Sequence, residues 1–230
     1  PAEQAVTRLR NIQISIGRTG ILTPFAVLEP VVVGGARVGI ATLHNADQIK
    51  AKNLLIGDDV IVQRAGEVIP EVVGPVLSRR KGRESELKHF RMPRRCPACN
   101  TQIVKDPTGP HHHCPNLRCQ PRIARTIEHF ASRGAMDIAG FGEQLAIRLT
   151  ELGFIHKISD IYELSKHQEA LLKLDGIGEK TLTRLFKQIE ISKQRSFRQL
   201  LSGLSIRHVG NETARDIAIH FGTMEYLLAA

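Results

Sequence analysis

The sequence lacks tryptophan, and aromatic residues make up only 4% of its 230 residues. Proteins that hold single-stranded nucleic acid stack the bases on exposed aromatic rings, so this scarcity argues against that mode of binding. No apolar run approaches the length that a membrane span requires, and no signal peptide is recognisable. We therefore expect an intracellular protein without a membrane-spanning segment.

Acidic residues are few relative to basic ones. The chain carries 32 Lys and Arg against 23 Asp and Glu, a formal net charge of +9. Such an excess predicts an anionic partner. Because base stacking is disfavoured, the composition favours a protein that holds a nucleic-acid duplex by its phosphates.

Cysteine occurs only four times, in one stretch that reads Cys96-Pro-Ala-Cys99, then fourteen residues, then Cys114-Pro-Asn-Leu-Arg-Cys119. Each close pair can form a tight turn, so that four thiolates meet around one tetrahedral zinc ion. The alternatives are two disulfides or four free thiols, and an intracellular location disfavours the disulfides. The spacing predicts a structural zinc site.

His111, His112 and His113 lie beside the second cysteine pair and offer further nitrogen ligands. A closed zinc site takes only four ligands, which the cysteines already supply. We therefore expect these three histidines to lie in a solvated loop.

Residues 1–77 show a pattern of short β-strands separated by turns. Ile12, Ile14 and Ile16 alternate with polar residues, which is the period of a half-buried strand. Gly34-Gly35 after a valine run is a hairpin signal, and Asn45 is placed to cap a short helix. Several such strands predict a small antiparallel β-barrel, and the OB-fold is a barrel of this size that commonly binds nucleic acid.

Residues 78–95 form a basic linker, which begins Ser78-Arg-Arg-Lys-Gly-Arg83 and ends Arg94-Arg95. A charge run of this kind is often a solvated connector. Here it joins two modules that both suit an anionic partner, so direct contact with phosphates is the alternative. The sequence leaves both interpretations open.

Residues 121–230 are predicted to be helical and contain a repeat. Pro121 opens an amphipathic helix whose Ile123, Ile127 and Phe130 share one face. Three later segments share one pattern of apolar and glycine residues: Ile138-Ala-Gly-Phe-Gly142, Leu174-Asp-Gly-Ile-Gly178 and Ile206-Arg-His-Val-Gly210. Each lies between two predicted helices, which indicates stacked units of one type.

The repeated unit resembles the helix-hairpin-helix motif. Its glycines let the backbone turn sharply, and the second helix then directs free N–H groups and its positive dipole end at a phosphate. Such a contact reads no base, so binding ignores sequence. A plain pair of helices with a glycine cap is the alternative for any single match. The residues predicted to contact DNA are Gly140, Gly142, Gly176, Gly178, Arg207 and Gly210.

The order of barrel, four-cysteine segment and tandem hairpins resembles the C-terminal half of the bacterial NAD-dependent DNA ligases. The segments that carry the similarity are Gly17-Arg-Thr-Gly-Ile-Leu-Thr-Pro24, Ala41-Thr-Leu-His-Asn45, Arg64-Ala-Gly-Glu-Val-Ile-Pro70, Cys114-Pro-Asn116 and Ala131-Ser-Arg-Gly-Ala-Met-Asp137. We therefore expect a multidomain protein. Its parts are an OB-fold at 1–77, the linker at 78–95, a four-cysteine zinc finger at 96–120 and an all-α tandem helix-hairpin-helix domain at 121–230, truncated at its C-terminal end.

The resemblance also implies a function, the DNA-binding clamp portion of an enzyme that seals nicks in duplex DNA during replication and repair. In the family, an N-terminal nucleotidyltransferase domain uses NAD and Mg²⁺ to adenylate its own lysine, and AMP then passes to the 5′-phosphate of the nick. We expect that domain to be missing here, and therefore an inactive fragment without catalytic residues that binds structural Zn²⁺ but neither NAD nor Mg²⁺. A monomer in the bacterial cytoplasm, associated with the nucleoid, is expected.

By the same resemblance, Arg18 is expected near the phosphates at the nick, and Arg64, Val68 and Ile69 are expected to face the duplex. Arg18 has an alternative role as a turn residue, and Val68 and Ile69 have one in the barrel core. Lys173-Leu-Asp-Gly176 matches the Lys-x-Asp-Gly pattern of the adenylated lysine. It overlaps the second hairpin and has no nucleotide pocket around it, so we interpret the match as a coincidence.

Two other classes of protein share parts of this pattern. One is a stand-alone, sequence-independent DNA-binding or repair scaffold protein without ligase activity, and the other is a repair-nuclease subunit with tandem hairpins. The linear order of the three modules favours the ligase.

Overall fold

The computed structural model describes residues 3–64 and 69–230. The chain forms two compact units. The first, here called the barrel unit, contains the described residues up to 115 apart from 18–20. The second, the helical unit, contains residues 18–20 and 116–230. Each unit contains a hydrophobic core.

The barrel unit is built on five strands that close on themselves. Its first part contains β1 Glu3–Ile16, β2 Ile21–Val33, β3 Ala36–Thr42, helix α1 Ala46–Ala51, β4 Leu55–Ile56, β5 Asp59–Arg64 and β6 Glu71–Pro75. The pairs β1–β2, β1–β5, β2–β3 and β5–β6 are antiparallel. A parallel contact between Thr42 of β3 and Glu71 of β6 completes the ring. The predicted OB-fold barrel is confirmed, with this one pair of strands parallel.

Residue alternation builds the core of the barrel. Along β2, every second residue from Leu22 to Leu28 is buried. The other strands and α1 add a set of aliphatic side chains that are 5% exposed or less: Leu9, Val38, Val60, Val62, Val72 and Ile49. A one-residue slip would turn these side chains to solvent, so the burial of this set fixes the strand register.

Two local signals in the barrel are confirmed. Gly34 and Gly35 join β2 to β3 with φ of 57° and 71°, the left-handed pair that a two-residue hairpin needs. Asn45 Oδ1 accepts a hydrogen bond from the Gln48 N–H at 2.9 Å. This bond satisfies one of the N–H groups that the start of α1 leaves unpaired.

The basic segment after β6 is fastened to the barrel. Two 3-10 turns, Leu77–Arg80 and Glu84–Glu86, lead to β7 Lys88–His89, which pairs with β4. The Asp58 side chain is 1% exposed and accepts two hydrogen bonds from Arg80, at 2.7 and 2.6 Å, which raise the pKa of Arg80. Arg83 donates to the Gly57 carbonyl at 3.0 Å. Two arginines of the run are therefore engaged by barrel groups.

The helical unit consists of short helices joined by tight loops. Its elements are α2 Gln120–Ala131, α3 Glu143–Glu151, a 3-10 segment Ile158–His167, α4 Gln168–Leu172, α5 Glu179–Ser192, α6 Phe197–Gly203, α7 Asn211–Phe221 and α8 Met224–Leu228. Pro121 lies in the first turn of α2, where its missing N–H would have no intrahelical partner. Ile123, Ile127 and Phe130 of this helix are buried as predicted.

Helix α6 packs directly against α2. A Cβ atom on Gly203 would lie 2.9 Å from Phe130 Cδ2, so the contact requires a residue without a side chain at this position. A ring nitrogen of His129 lies 2.9 Å from the Ser202 carbonyl oxygen in the same contact. Residues 204–210, which follow α6, therefore start from a fixed position on the core.

Candidate metal centre and nucleic-acid interface

The structure brings the four cysteines together. The Sγ atoms of Cys96, Cys99, Cys114 and Cys119 all lie within 4.8 Å of one another, and Cys99 Sγ is 3.5 Å from Cys114 Sγ. Zinc–sulfur bonds of about 2.3 Å in a tetrahedron separate the sulfurs by about 3.8 Å, whereas a disulfide bond is about 2.05 Å long. The sulfur positions suit one tetrahedral ion, so the cluster could hold a metal.

Two short turns produce this convergence. In the first, Asn100 has a φ of 57° and its N–H donates to the Cys96 carbonyl at 2.9 Å. In the second, Asn116 accepts twice, at Oδ1 from the Arg118 N–H at 2.9 Å and at its carbonyl from the Cys119 N–H at 3.2 Å. Cys119 is also the residue that precedes α2. These bonds are local, which is why the spacing of the cysteines alone predicted the cluster.

Two of the three neighbouring histidines, His112 and His113, are not in a loop. His112–His113 form β9, which pairs with β8 Val104–Lys105 and with Ile21–Leu22 of β2. His112 is half-buried, and this burial, followed by the charge of Lys105, lowers its pKa. The prediction of a loop is wrong for His112 and His113 because their backbone extends a sheet, a contact over long sequence separation that the histidine run does not reveal.

The three predicted hairpins share one backbone geometry. The third residue of each pattern has a left-handed φ: 90° at Gly140, 78° at Gly176 and 66° at His208. In each, the N–H of the fourth residue donates to the carbonyl of the first, from Phe141 to Ile138 at 3.1 Å, Ile177 to Leu174 at 3.1 Å and Val209 to Ile206 at 3.0 Å. The same turn therefore occurs three times. Sequence reasoning did not single out His208, although it stands where the other two patterns have glycine.

A helix begins immediately after each turn. Gly142, Gly178 and Gly210 precede α3, α5 and α7 with φ of −90°, −95° and −88°, and none of these three helix starts has a side-chain cap. An added Cβ at any of these glycines meets no atom of the described chain within 4 Å. The expectation that all the hairpin glycines serve the turn is wrong for these three, because any residue adopts such a φ. What they leave is open space in front of uncapped N–H groups.

Each of these helices also carries a glutamate in its first turn, at Glu143, Glu179 and Glu212. Glu143 Oε1 accepts from Arg125 Nη2 at 2.7 Å, and Glu212 lies 3.7 Å from Arg215. Glu179 forms no ion pair with any residue that the structure describes. A carboxylate at a helix start offsets the positive dipole end, so Glu179 opposes an incoming phosphate more than the other two.

Four residues of the 1–77 segment were expected at the duplex, and the structure describes three of them. Arg18 is exposed in the turn between β1 and β2, and its backbone carbonyl accepts a hydrogen bond from Arg122 Nε at 3.1 Å. Arg64 ends β5 and is half-buried. Ile69 is 73% exposed, which excludes it from the barrel core. Val68 lies outside the described residues.

The Lys-x-Asp-Gly match lies where the hairpin interpretation predicts. Lys173 caps the end of α4, and Gly176 supplies the left-handed position of the second turn.

Among the described residues, no helix is both long and apolar enough to cross a membrane.

A closed barrel, a cysteine cluster and repeated hairpins together define a multidomain protein of the class that combines an OB-fold with helix-hairpin-helix motifs. Two family models match segments of the chain. Residues 6–84 match the NAD-dependent DNA ligase OB-fold domain, and residues 199–230 match the helix-hairpin-helix motif.

Similar proteins cover nearly all of the chain. The DNA ligase of Rubrobacter xylanophilus is 52% identical over 221 residues, 96% of this chain and 32% of the relative. Those of Bacillus cereus and Listeria monocytogenes are 46% and 45% identical over 230 residues, the whole of this chain and 34% of each relative. The chain belongs to the NAD-dependent DNA ligase family, and it spans about a third of the length of these relatives.

Proposed function

We propose that the chain is the DNA-binding clamp portion of an NAD-dependent DNA ligase, which seals nicks in duplex DNA during replication and repair. One observation carries the proposal: the same uncapped helix start behind the same turn occurs three times in the helical unit. Free N–H groups at a helix start bind phosphate, and phosphate contacts carry no sequence information. Three such starts hold a duplex of any sequence.

In this proposal the chemistry belongs to a nucleotidyltransferase domain of the full-length enzyme, which uses NAD and Mg²⁺. The chain described here positions the nicked duplex. Arg18 contacts phosphates near the nick, and Arg64, Val68 and Ile69 face the duplex. The exposure of Ile69 supports this role, since a large apolar side chain in water suits a contact surface. Arg207 and the hairpin glycines contact the backbone elsewhere. The enzyme acts as a monomer in the bacterial cytoplasm, at the nucleoid.

We infer further that Cys96, Cys99, Cys114 and Cys119 bind one Zn²⁺. Four thiolates are a donor set that zinc prefers, and a site closed by four protein ligands has a structural role. Three of these residues are at most 2% exposed. A cation in the middle stabilises the deprotonated sulfurs in this buried position, and the ion would hold the two turns together.

Binding across a salt series tests the clamp. Affinity is measured for two unrelated nicked duplexes, and it is expected to be equal for both and to fall steeply with salt, because bound phosphates release counterions. Arg18→Ala is expected to reduce the slope of log affinity against log salt by about one. A strong preference for one sequence, or a flat salt response, would contradict the proposal.

Elemental analysis tests the metal. Freshly purified protein is expected to contain one zinc per chain. Cys99→Ser is expected to lose it and to unfold residues 94–121 locally, because structural zinc binding is coupled to folding. Zinc-free wild-type protein with intact cysteine turns would refute the site.

Labelled NAD tests the division of labour. The isolated chain is expected to remain unlabelled. When it is fused to the nucleotidyltransferase domain, the fusion is expected to seal nicked duplex. Stable label on Lys173 would overturn both the assignment of the chemistry and the interpretation of the Lys-x-Asp-Gly match.

A further inference from the structure

The helical unit contains a groove that the hairpin contacts do not use. Its volume is about 500 Å³. Four parts of the unit contribute to its lining: Arg18, Arg122 of α2, Lys157 and Ser159 around the start of the 3-10 segment, and Leu204 and Ser205 after α6. Arg18 is already proposed to contact phosphates near the nick, so the groove extends that contact. Ser205 directly precedes the third hairpin, which begins at Ile206. The groove therefore adjoins a proposed phosphate contact in the chain.

Ser205 has two unusual properties. Its φ is 54°, a left-handed value that costs a residue with a side chain about 1–2 kcal/mol. Its Oγ is buried and has no hydrogen-bond partner among the described residues. Buried hydroxyls in folded proteins are almost always paired. An acceptor bound in the groove would pair this hydroxyl after a rotation about χ1.

Charge in the groove indicates what kind of acceptor fits. Lys157 is 74% exposed at its side chain, and its Nζ lies 4.0 Å from Asp160 Oδ1. The other oxygen of Asp160 accepts from the N–H groups of His156 and Lys157, at 2.8 and 3.1 Å. The carboxylate is thus held by backbone, and the lysine can move toward another anion. Arg122 adds a second positive charge, and Leu204 contributes an apolar wall.

We propose that this groove binds the sugar–phosphate backbone of duplex DNA next to the phosphate held by the third hairpin. Lys157 and Arg122 attract the phosphate, and Ser205 Oγ donates to it. The groove gives side-chain contacts beside hairpins that act through the backbone. The inference depends on the proposed clamp function, because it assigns a further site on the same ligand.

A matched pair of lysines tests the charge. Lys157 and Lys166 belong to the same stretch, are similarly exposed at 74% and 69%, and each has an acidic partner three residues away. Lys166 does not line the groove. Lys157→Gln is expected to weaken binding of a nicked duplex roughly three- to tenfold and to reduce the salt slope by about 0.9. Lys166→Gln is expected to leave both close to wild type.

Ser205→Ala tests the hydroxyl separately. It removes no charge, so it is expected to weaken binding a few-fold at every salt concentration while leaving the salt slope unchanged. Circular dichroism and thermal melting confirm that each variant is folded.

The outcomes for the groove and for the clamp can be told apart. If wild-type protein binds with a steep salt slope but Lys157→Gln and Lys166→Gln behave alike, the groove is excluded and the clamp stands. If wild-type protein does not bind duplex, both proposals fail. If Lys157→Gln weakened binding to single-stranded DNA but not to duplex DNA, the groove proposal would also be wrong.

Discussion

The barrel unit and the helical unit differ in the form in which they carry positive charge, although both contain arginines paired with carboxylates. In the barrel unit, Arg8, Arg10, Arg80 and Arg83 all face carboxylates at 3.9 Å or less. In the helical unit, three helix starts offer uncapped N–H groups behind glycines that leave open space in front of them. The first arrangement pairs arginine side chains with carboxylates of the same unit, and the second presents the partial positive charge of backbone N–H groups.

This difference shows that a run of basic residues is a poor guide to a phosphate site. Residues 78–83 are the densest such run in the chain, yet Arg80 donates to a buried carboxylate. A surface arginine contacts phosphate only if no internal acceptor competes for it. The following predictions change one unit at a time, and they are ordered from the largest expected effect to the smallest.

Arg80→Ala is expected to destabilise the barrel by about 3 kcal/mol, because it leaves the Asp58 carboxylate buried without its partner. Arg79→Ala is the control: Arg79 is 57% exposed and 3.6 Å from Asp59, so its loss is expected to cost less than about 1 kcal/mol. Hydrogen exchange of the β5 amides measures both effects. Equal losses in the two variants would show that Asp58 does not depend on Arg80.

Gly176→Val and Gly178→Val separate folding from binding within one hairpin. Gly176 has a φ of 78°, so valine there is expected to cost about 1–2 kcal/mol of stability in the helical unit. Gly178 has a φ of −95° and is the N-cap of α5, so valine there is expected to cost less stability than at Gly176, about 0.5 kcal/mol for the poorer helix start, and to weaken duplex binding at every sequence. Thermal unfolding and a binding assay on both variants decide the matter. If Gly178→Val destabilised the unit and Gly176→Val only weakened binding, the turn and the phosphate contact would have been assigned to the wrong glycines.

His208→Gly is expected to stabilise the third hairpin by about 1 kcal/mol, because glycine adopts a φ of 66° without the strain that a side chain adds. The gain should appear as slower hydrogen exchange at Val209, whose N–H closes the turn. Faster exchange would mean that the imidazole stabilises the turn.

Glu179→Gln is expected to strengthen duplex binding about twofold and to lower the stability of α5 by a few tenths of a kcal/mol, since a carboxylate at a helix start interacts favourably with the dipole but repels phosphate. Glu190→Gln makes the same charge change near the other end of α5. That variant should bind DNA as wild type does. An equal gain from both would indicate a general effect of net charge.

Features encoded by local sequence were predictable. The Gly34-Gly35 hairpin, the Asn45 cap and the apolar face of α2 depend on residues a few positions apart. The meeting of the cysteines followed from two short turns. The OB-fold was reached from strand spacing and from the resemblance, and its parallel closing pair, Thr42 with Glu71, is not visible in any periodicity.

Features that depend on distant partners were missed. The burial of Asp58 follows from Arg80, 22 residues away, and nothing in the Gly-Asp-Asp turn distinguishes that acid from Asp59. The close approach of α6 to α2 depends on Gly203 meeting Phe130. His112 and His113 became a strand because β2 offers an edge to them. In each case the deciding partner lies elsewhere in the chain.

The repetition of one turn has a kinetic consequence. If the three hairpins bind phosphate as proposed, they act together as a multivalent ligand, in which each engaged hairpin raises the effective concentration of the others. Any one of them can detach and rebind at the next phosphate while the remaining two hold. A grip of this kind lets a protein travel along a duplex without leaving it, so a search for a rare break in one strand need not begin again in solution after each step.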